Sequence, residues 1–293
     1  MMDIQKIISG IDTLVPISNI SEKVAAVIAD PESSLQDLVD IVSYDQHLTV
    51  NLLRICNSSY MGLRRKISSV REAVTYLGVD KVFCLAMLGS SASNFMRSQW
   101  GYDLEAGQLW HYSVSAAVIG EHLAKICQYP ESALIFTGAL LKDIGKIILS
   151  DYVAPAYQAI VQEVAAHRIP FDEAEKRVIG IDHAELGAMA AEKWNFSPVM
   201  VDIIRWHHNP KQAELDRRAV AIVHLADCVC MMIGNGVGAD GLAYKCDTEA
   251  ISELGLNAAD LQAAIAFYWE KMKEIKELVS LSGGDRLKWH SMC

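Results

Sequence analysis

Hydrophobic side chains recur at three- and four-residue spacing along most of the chain, which predicts helices. The first clear stripe lies within residues 30–42 and consists of Leu35, Leu38, Val39 and Val42. Ser34, followed three residues later by Asp37, forms a candidate N-terminal cap for this helix. Because no alternating strand pattern competes with these stripes, we predict an all-α fold.

Three more helices are predicted in the first hundred residues. One follows Asp45 and carries the stripe Leu48, Leu52 and Ile55. A second opens at the capping box formed by Ser69 and Glu72 and ends at Gly78. A third begins at Asp80. These elements together predict a helical N-terminal lobe.

The character of the sequence changes at RSQWGYDLEAG, residues 97–107, and we interpret this segment as a joint. It divides the chain into an N-terminal helical lobe, residues 1–104, and a helical core with a C-terminal helical extension, residues 105–293. The second part contains most of the histidines. A late helix is predicted over about residues 258–281 from its apolar spacing.

Composition and charge exclude several classes of protein. Hydrophobic residues make up 52% of the 293 residues, which is ample for a packed core. The net charge of -10 argues against a nucleic-acid-binding surface, and no apolar run reaches the length of about 18 residues that a membrane span needs. The seven cysteines are scattered, which favours a reducing cytoplasm over a disulfide framework. We therefore expect a cytoplasmic protein with no nucleic-acid or membrane partner.

Five places in the second part carry residues suited to metal chemistry: His111, Asp143, His183, the pair His207–His208, and Asp227. Asp143 and Asp227 each lie among apolar residues at helical spacing, where a carboxylate without a partner is costly. Carboxylates and imidazoles projecting from different helices of a bundle form a metal site, and this donor set suits Fe, Mn, Zn or Ni.

Each of these residues also has a purely structural interpretation. His111, His183 and the histidine pair could lie at helix ends, where the pair would be favoured by the helix dipole. Asp227 could pair with Arg205 or Arg217. Taken singly, each structural interpretation is the stronger one. Taken together, and in this order along the chain, the residues favour a metal site.

The order of these residues, with Lys142 directly before Asp143, resembles the HD superfamily of metal-dependent phosphohydrolases, whose pattern is H…HD…D. The histidines at 183, 207 and 208 resemble the positions that give HD-GYP phosphodiesterases a second metal site, although the GYP element is absent. This resemblance implies an HD-like helical core.

Two longer segments narrow the resemblance to HDOD proteins, which are bacterial regulators related to the HD family. They are LLRICNSSYMGLRRKISSVREAVTYLGVDKV, residues 52–82, and DHAELGAMAAEKWNFSPVMVDIIRWHH, residues 182–208. The resemblance covers about residues 15–230. It implies an N-terminal helical lobe packed on a degenerate HD-like core.

The resemblance implies two sets of metal ligands. The first metal would use His111, a histidine at position 142, Asp143 and Asp227, and the second would use Asp143, His183, His207 and His208. Position 142 is a lysine, which ligates poorly while protonated. Its ammonium group can instead neutralise the two aspartates. We therefore expect a divalent ion, with Fe or Mn preferred over Zn or Mg, and one ion rather than two.

The lysine at position 142 decides which of two functional hypotheses is preferred. The preferred one is an HDOD-type signalling protein, catalytically impaired, that keeps a residual metal site and binds a protein partner in a bacterial signalling pathway or a nucleotide-like ligand. The alternative is an active phosphohydrolase or phosphodiesterase acting on a nucleotide or cyclic dinucleotide, with Lys142 and Asp143 as its candidate catalytic residues. A helical scaffold without a ligand is a third interpretation. The first is preferred because losing a ligand alters the coordination that activates water.

Overall fold

The computed structural model describes residues 7, 27, 33–43, 49, 52, 53, 56, 67–78, 82, 97–193, 196–234 and 238–281, with the backbone alone at 133, 240 and 273–281. Within these residues the regular structure is helical, and the β-structure is limited to an isolated bridge between Gln99 and Leu104. The all-α prediction is therefore confirmed.

The helices of the described residues are, in chain order, α1 Leu35–Ser43, α2 Val70–Leu77, α3 Gln108–Ile126, α4 Ser132–Leu141, α5 Ile144–His167, α6 Phe171–Ile179, α7 His183–Lys193, α8 Pro198–Trp206, α9 Arg217–Met232, α10 Thr248–Glu253 and α11 Ala258–Leu281. Short 3-10 turns occupy Trp100–Tyr102, Pro210–Gln212 and Gly238–Gly241. The helix predicted over 258–281 is confirmed as α11. None of the described helices is both long and apolar enough to cross a membrane.

The caps predicted for α1 and α2 are present. The Ser34 hydroxyl accepts a hydrogen bond from the Asp37 amide at 3.3 Å, and the Asp37 carboxylate accepts one from the Ser34 amide at 2.8 Å. Ser69 accepts from the amide of Glu72 at 3.2 Å. Gly78, at φ +80°, ends α2 in a conformation that favours glycine.

Helices α1 and α2 bury their predicted apolar faces in one cluster, which contains Leu38, Val39, Val42, Ala73, Val74 and Leu77. Leu35, also predicted in the α1 stripe, lies at its edge and is 39% exposed. The helices predicted after Asp45 and from Asp80 lie largely outside the described residues. So does much of the 1–104 lobe, and the division at residue 104 therefore stays a prediction.

Two clusters of buried side chains make up the second part of the chain. One is built mainly from α3, α4, α8, α9 and α11, and the other surrounds α5, α6 and the start of α7. The turn Lys142–Asp143 joins α4 in the first cluster to α5 in the second. Both of these charged side chains are fully buried, so the fold carries two charges into its interior.

Helices α5 and α7 cross in direct backbone contact at Gly145. A Cβ atom at this position would overlap the His183 carbonyl oxygen and lie 2.8 Å from the amide nitrogen of Gly187. Only a residue without a side chain permits this crossing. The crossing brings the start of α7 close to Asp143.

The scattered cysteines favoured free thiols over a disulfide framework, and one pair departs from this expectation. Cys228 in α9 and Cys246, 18 residues later, are disulfide-bonded, whereas Cys56, Cys127 and Cys230 are free and buried. Spacing along the sequence could not reveal the pair, because the chain beyond α9 folds back onto that helix.

Candidate metal centre

A buried lysine bridges two buried aspartates at the centre of the molecule. The Lys142 ammonium group contacts Asp143 Oδ2 and lies 2.6 Å from Asp227 Oδ1. It also faces the ring of Tyr112, 4.7 Å from the ring centroid. The contact predicted from the sequence between Lys142 and the two aspartates is therefore present.

Lys146 is a second cation at this place, and the sequence interpretation missed it. Its Nζ lies 2.8 Å from Asp143 Oδ1, and its side chain is buried. Lys146 follows Asp143 by three residues, a spacing that places both side chains on one face of a helix. Two ammonium groups thus face two carboxylates, and the formal charge of this cluster sums to zero.

Asp227 is held by two tyrosines in addition to Lys142. The Tyr112 hydroxyl donates to Oδ1 and the Tyr244 hydroxyl donates to Oδ2, each at 2.7 Å. The alternative pairing of Asp227 with Arg205 or Arg217 is wrong, because those guanidinium groups bind surface glutamates instead. Every oxygen of this carboxylate therefore has a donor.

The electrostatics favour the charged forms of Lys142 and of the two aspartates that it bridges. Burial alone would raise the pKa of Asp143, but Lys142 and Lys146 hold that pKa well below its usual value. Burial likewise opposes ionisation of Asp227, and Lys142 nevertheless keeps its pKa lowered. For Lys142, the two aspartates outweigh burial, and its pKa is raised. The lysine is thus a fixed cation in the core.

Three histidines converge beside this cluster: His183, His207 and His208. Each ring offers one nitrogen that lies within 4.8 Å of those of the other two, and the Nε2 atoms of His183 and His208 are 2.9 Å apart. His183 is the first residue of α7, and His207 directly follows α8. Both lie at helix ends, as the structural interpretation expected, and both also belong to the cluster.

Local signals fix the helices that deliver these histidines. Asp182 accepts a hydrogen bond from the Glu185 amide at 2.7 Å, which caps α7 one residue before His183. Ser197 accepts from the Met200 amide at 3.3 Å and, with Pro198 following, starts α8. The sequence therefore sets where each histidine sits on its helix.

Glu175 orients the His183 ring from the side opposite the cluster, a role that no local pattern in the sequence indicates. One Glu175 oxygen lies 2.9 Å from His183 Nδ1 and accepts from the His183 amide at 2.8 Å. Its other oxygen accepts from the Tyr102 hydroxyl. A carboxylate facing Nδ1 favours a proton there and leaves the Nε2 lone pair pointing into the cluster.

The His207 ring, like that of His183, is oriented by a hydrogen bond at Nδ1. Its Nδ1 donates to the Ile204 carbonyl oxygen at 2.7 Å, so its Nε2 also carries a lone pair. This Nε2 is buried without a hydrogen-bond partner. Burial first, and then His208 and Lys142, hold the pKa of His207 well below its usual value, so the imidazole is neutral. A buried, neutral imidazole nitrogen without a partner suits a metal ion.

Asp143 lies within reach of the same point. Its Oδ1 is 3.6 Å from His183 Nε2 and 3.8 Å from His207 Nε2. Ligands of one tetrahedral ion with bonds of about 2.1 Å lie roughly 3.4 Å apart. The residues present therefore fit a divalent ion held by the three histidines with Asp143, although Lys146 shares Asp143 Oδ1.

The structure leaves His111 outside the group of three histidines. It is half-buried in the first turn of α3, one residue before Tyr112. Asp227 belongs to the lysine cluster rather than to the histidine group. The roles of both residues as metal ligands stay predictions.

A surface cavity of about 540 Å³ has one of the three histidines, His208, in its wall. Its walls include His208, Tyr244, Lys176, Lys211 and Asp182, so both signs of charge line it. A small ligand in this cavity would have His208 among its neighbours.

The comparisons with known proteins agree with this architecture. A family model described as the HDOD domain matches residues 14–210. A protein of Treponema pallidum, itself uncharacterised, is 26% identical over 190 residues, which are 64% of this chain and 36% of that relative. The chain thus spans little more than a third of the length of that relative.

Two solved structures share the fold. An HDOD domain protein of unknown function from Geobacter sulfurreducens superposes with a TM-score of 0.63 at 23% identity, over 95% of each chain. A protein of Shewanella amazonensis SB2B, provisionally named a phosphohydrolase, superposes with a TM-score of 0.67 at 21% identity, over 93% of this chain and 97% of that one. At these identities the likeness shows the fold alone.

Proposed function

The chain belongs to the HDOD family, and from that premise we propose that it is a cytoplasmic signalling protein whose HD-like core is catalytically impaired and retains one metal site. The family match over residues 14–210 supports the HD-related part of this proposal. The site geometry supports the impaired core and the single metal site.

One observation carries the proposal, namely the bridge that Lys142 makes between two carboxylates. Its ammonium group lies 2.6 Å from Asp227 and also contacts Asp143, the two aspartates that a first metal would need. With Lys146 on the other oxygen of Asp143, the charges of the aspartates are balanced without a metal. A second dication at this place would meet two fixed positive charges.

The residual metal would be held by His183, His207 and His208, with Asp143 as a shared ligand. When bound, a divalent ion would supply a Lewis acid that polarises a phosphoryl oxygen or a water molecule. We favour Fe or Mn for this mixed imidazole and carboxylate set. Glu175 and the Ile204 carbonyl group fix the two histidine rings, so the site is preorganised for an ion.

The partner is a protein of a bacterial signalling pathway or a nucleotide-like ligand. The cavity above His208 has room for a small ligand, and its lysines can neutralise phosphate. This cavity also supports the second candidate function, an active phosphohydrolase or phosphodiesterase acting on a nucleotide or cyclic dinucleotide. Lys142 counts against turnover, because it stands where the H…HD…D pattern has a metal-ligating histidine.

Metal analysis combined with activity measurements tests the proposal. We expect about one equivalent of Fe or Mn in the purified protein and no turnover across a panel of nucleotides and cyclic dinucleotides, because one of two sites is closed. The Lys142→His variant should bind one further equivalent and is the matched test for recovered turnover. Turnover by the parent protein with added Mn would instead establish the phosphohydrolase, and an unchanged metal content in Lys142→His would refute the role given to Lys142.

A further inference from the structure

The Cys228–Cys246 disulfide lies directly beside the candidate metal centre. Cys228 follows Asp227 on α9 and is buried, whereas Cys246 is exposed. The bond therefore joins a helix of the core to the surface segment that contains Cys246. One of the two bonded residues is therefore accessible from solvent.

The segment Tyr244–Asp247 covers the centre through contacts at both of its ends. Tyr244 donates to Asp227 at 2.7 Å, and its ring packs edge-on against His208 with the centroids 5.6 Å apart. At the other end the Asp247 amide donates to His224 Nε2 at 2.9 Å. All four residues of the segment line the cavity that leads to His208.

A path of two hydrogen bonds continues from this segment to a candidate metal ligand. His224 accepts from Asp247 and, through Nδ1, donates to the His207 carbonyl oxygen at 2.8 Å. The position of the segment is thus coupled to His207 as well as to Asp227. The disulfide is the covalent link that holds the segment in this place.

We propose that Cys228–Cys246 is a thiol–disulfide exchange site for small thiols or dithiol proteins, and that its redox state determines how firmly Tyr244–Asp247 covers the metal centre. The proposal goes beyond the signalling function and does not depend on it. In a reducing compartment such as the proposed cytoplasm, disulfides are usually transient and either catalytic or redox-sensing.

The exchange balances with two thiols. A thiolate attacks the sulfur of the exposed residue Cys246 and forms a mixed disulfide, while the S–S bond breaks and Cys228 leaves as a thiolate that takes up a proton. A second thiol attacks the external sulfur of the mixed disulfide and releases Cys246. Two electrons pass from the two thiols to the protein disulfide, and the thiols leave joined as their own disulfide.

Reduction removes the covalent link but leaves the hydrogen bonds of Tyr244 and Asp247. A closed loop restricts the states open to a chain, and cutting its link restores them. The segment would then open more often, which widens access to His208 and weakens the hold on Asp227. Oxidation reverses this change.

Differential alkylation and amide hydrogen exchange of the full chain test the proposal. With glutathione as the probe thiol, the mixed disulfide should form on Cys246 and not on Cys228. After full reduction, amides of residues 244–247 should exchange about tenfold faster. The Cys246→Ser variant should show the faster exchange without reductant and no further response. The matched control, Cys127→Ala, removes a free buried cysteine and should behave as the parent protein.

Three results would overturn the proposal. The first is that both cysteines are alkylated in the folded protein before any reductant is added. The second is that reduction leaves the exchange of residues 244–247 unchanged. The third is that the protein holds zinc that is lost in both Cys228→Ser and Cys246→Ser, since His224, Cys228 and Cys246 also offer ligand atoms within 4.8 Å of one another.

Discussion

Lys142 replaces a metal ligand with a fixed positive charge. A lone buried ammonium group would tend to lose its proton, because desolvation disfavours the charged form. Here Asp143 and Asp227 raise the pKa of Lys142 despite its burial. Lys142 is the cation that these two carboxylates share, and removing it would leave Asp227 as a buried charge held by two tyrosine hydroxyls.

The Lys142→Met variant tests this dependence, because methionine keeps most of the stem and removes the charge. We expect the free energy of unfolding in metal-free buffer to fall by about 3 kcal/mol or more, the usual cost of breaking a buried ion pair. Urea unfolding at neutral pH measures it. The control is Lys176→Met, where the lysine is largely exposed and lies 3.4 Å from Asp182. Equal unfolding midpoints for the two variants would contradict the bridge.

Glu175 reaches the proposed metal site through its contact with His183. The Glu175→Gln variant keeps the shape and weakens the preference for a proton on Nδ1, and we expect metal affinity to fall by about 10- to 100-fold. Competition with a chelator measures this affinity. Glu173→Gln is the matched control on the same helix, since Glu173 is exposed and pairs with Arg177. Equal affinities in both variants would show that Glu175 has only a structural role.

The sequence predicted the residues of the site better than their partners. Asp143 and the histidines could be singled out from the sequence, because a charged residue among apolar helical positions needs a partner. Glu175 lies in a helix with a strongly polar sequence and becomes buried only when Tyr102 and His183 pack against it. Lys146 was overlooked for a similar reason, since its burial depends on the fold around α5.

At the scale of elements, the site depends on how closely α5 and α7 approach. The backbone of Gly145 touches the His183 carbonyl group, so the first residue of α7 is pressed against the start of α5. Neither helix alone sets this distance. The crossing thus brings Asp143, at the start of α5, close to His183, at the start of α7.

The Gly145→Ala variant should force the two helices apart, because its Cβ atom has no space. We expect a loss of about 1–3 kcal/mol of stability from overpacking, together with weaker metal binding, since His183 moves with α7. Thermal unfolding and metal titration measure the two effects. Gly120→Ala in α3 is the control, because the nearest atoms to its Cβ are side-chain carbons at 3.3 Å or more. Unaltered metal binding in Gly145→Ala would show that the proposed metal site does not depend on the crossing of α5 and α7.

Elements with local signals were predictable, and contacts between elements were not. The capping boxes of α1 and α2 and the stripe of α11 fixed those helices from neighbouring residues alone. The Gly145 crossing and the Cys228–Cys246 pair depend on residues brought together from distant parts of the chain. Local periodicity carries no information about such pairs.

At the scale of the whole molecule, a metal bound by α5, α7 and the end of α8 would link both buried clusters. A ligand that binds only the folded state stabilises that state. We therefore expect a chelator to lower the melting temperature of the parent protein, with a loss of about 2.7 kcal/mol if the metal had been present at 100 times its dissociation constant.

The His207→Ala variant is the test of this link. It should contain less metal than the parent protein and should no longer respond to the chelator in differential scanning calorimetry. His122→Ala is the control, because His122 is half-buried on α3 and stacks on Phe267, away from the cluster. A variant at His207 that still loses stability with the chelator would place the metal elsewhere.

The overall class of the fold followed from the sequence, because helical spacing runs through nearly every segment that the structure describes. The division at residue 104 stays a prediction, since the spacing of apolar residues along the sequence does not indicate how two lobes pack. Phe196 shows the difficulty: it contacts both the α1–α2 cluster and the core, yet nothing around it in sequence marks it as a bridge.

The ammonium group of Lys142 also differs from an ion in how it arrives at its place. A metal must be acquired after synthesis, exchanges with the surrounding pool and is withdrawn when that pool is scarce. A lysine is translated with the chain and is present once in every copy. If the histidine group binds an ion as proposed, the lysine half of this centre is filled at constant stoichiometry whatever the supply of metal, and only the histidine half would depend on that supply.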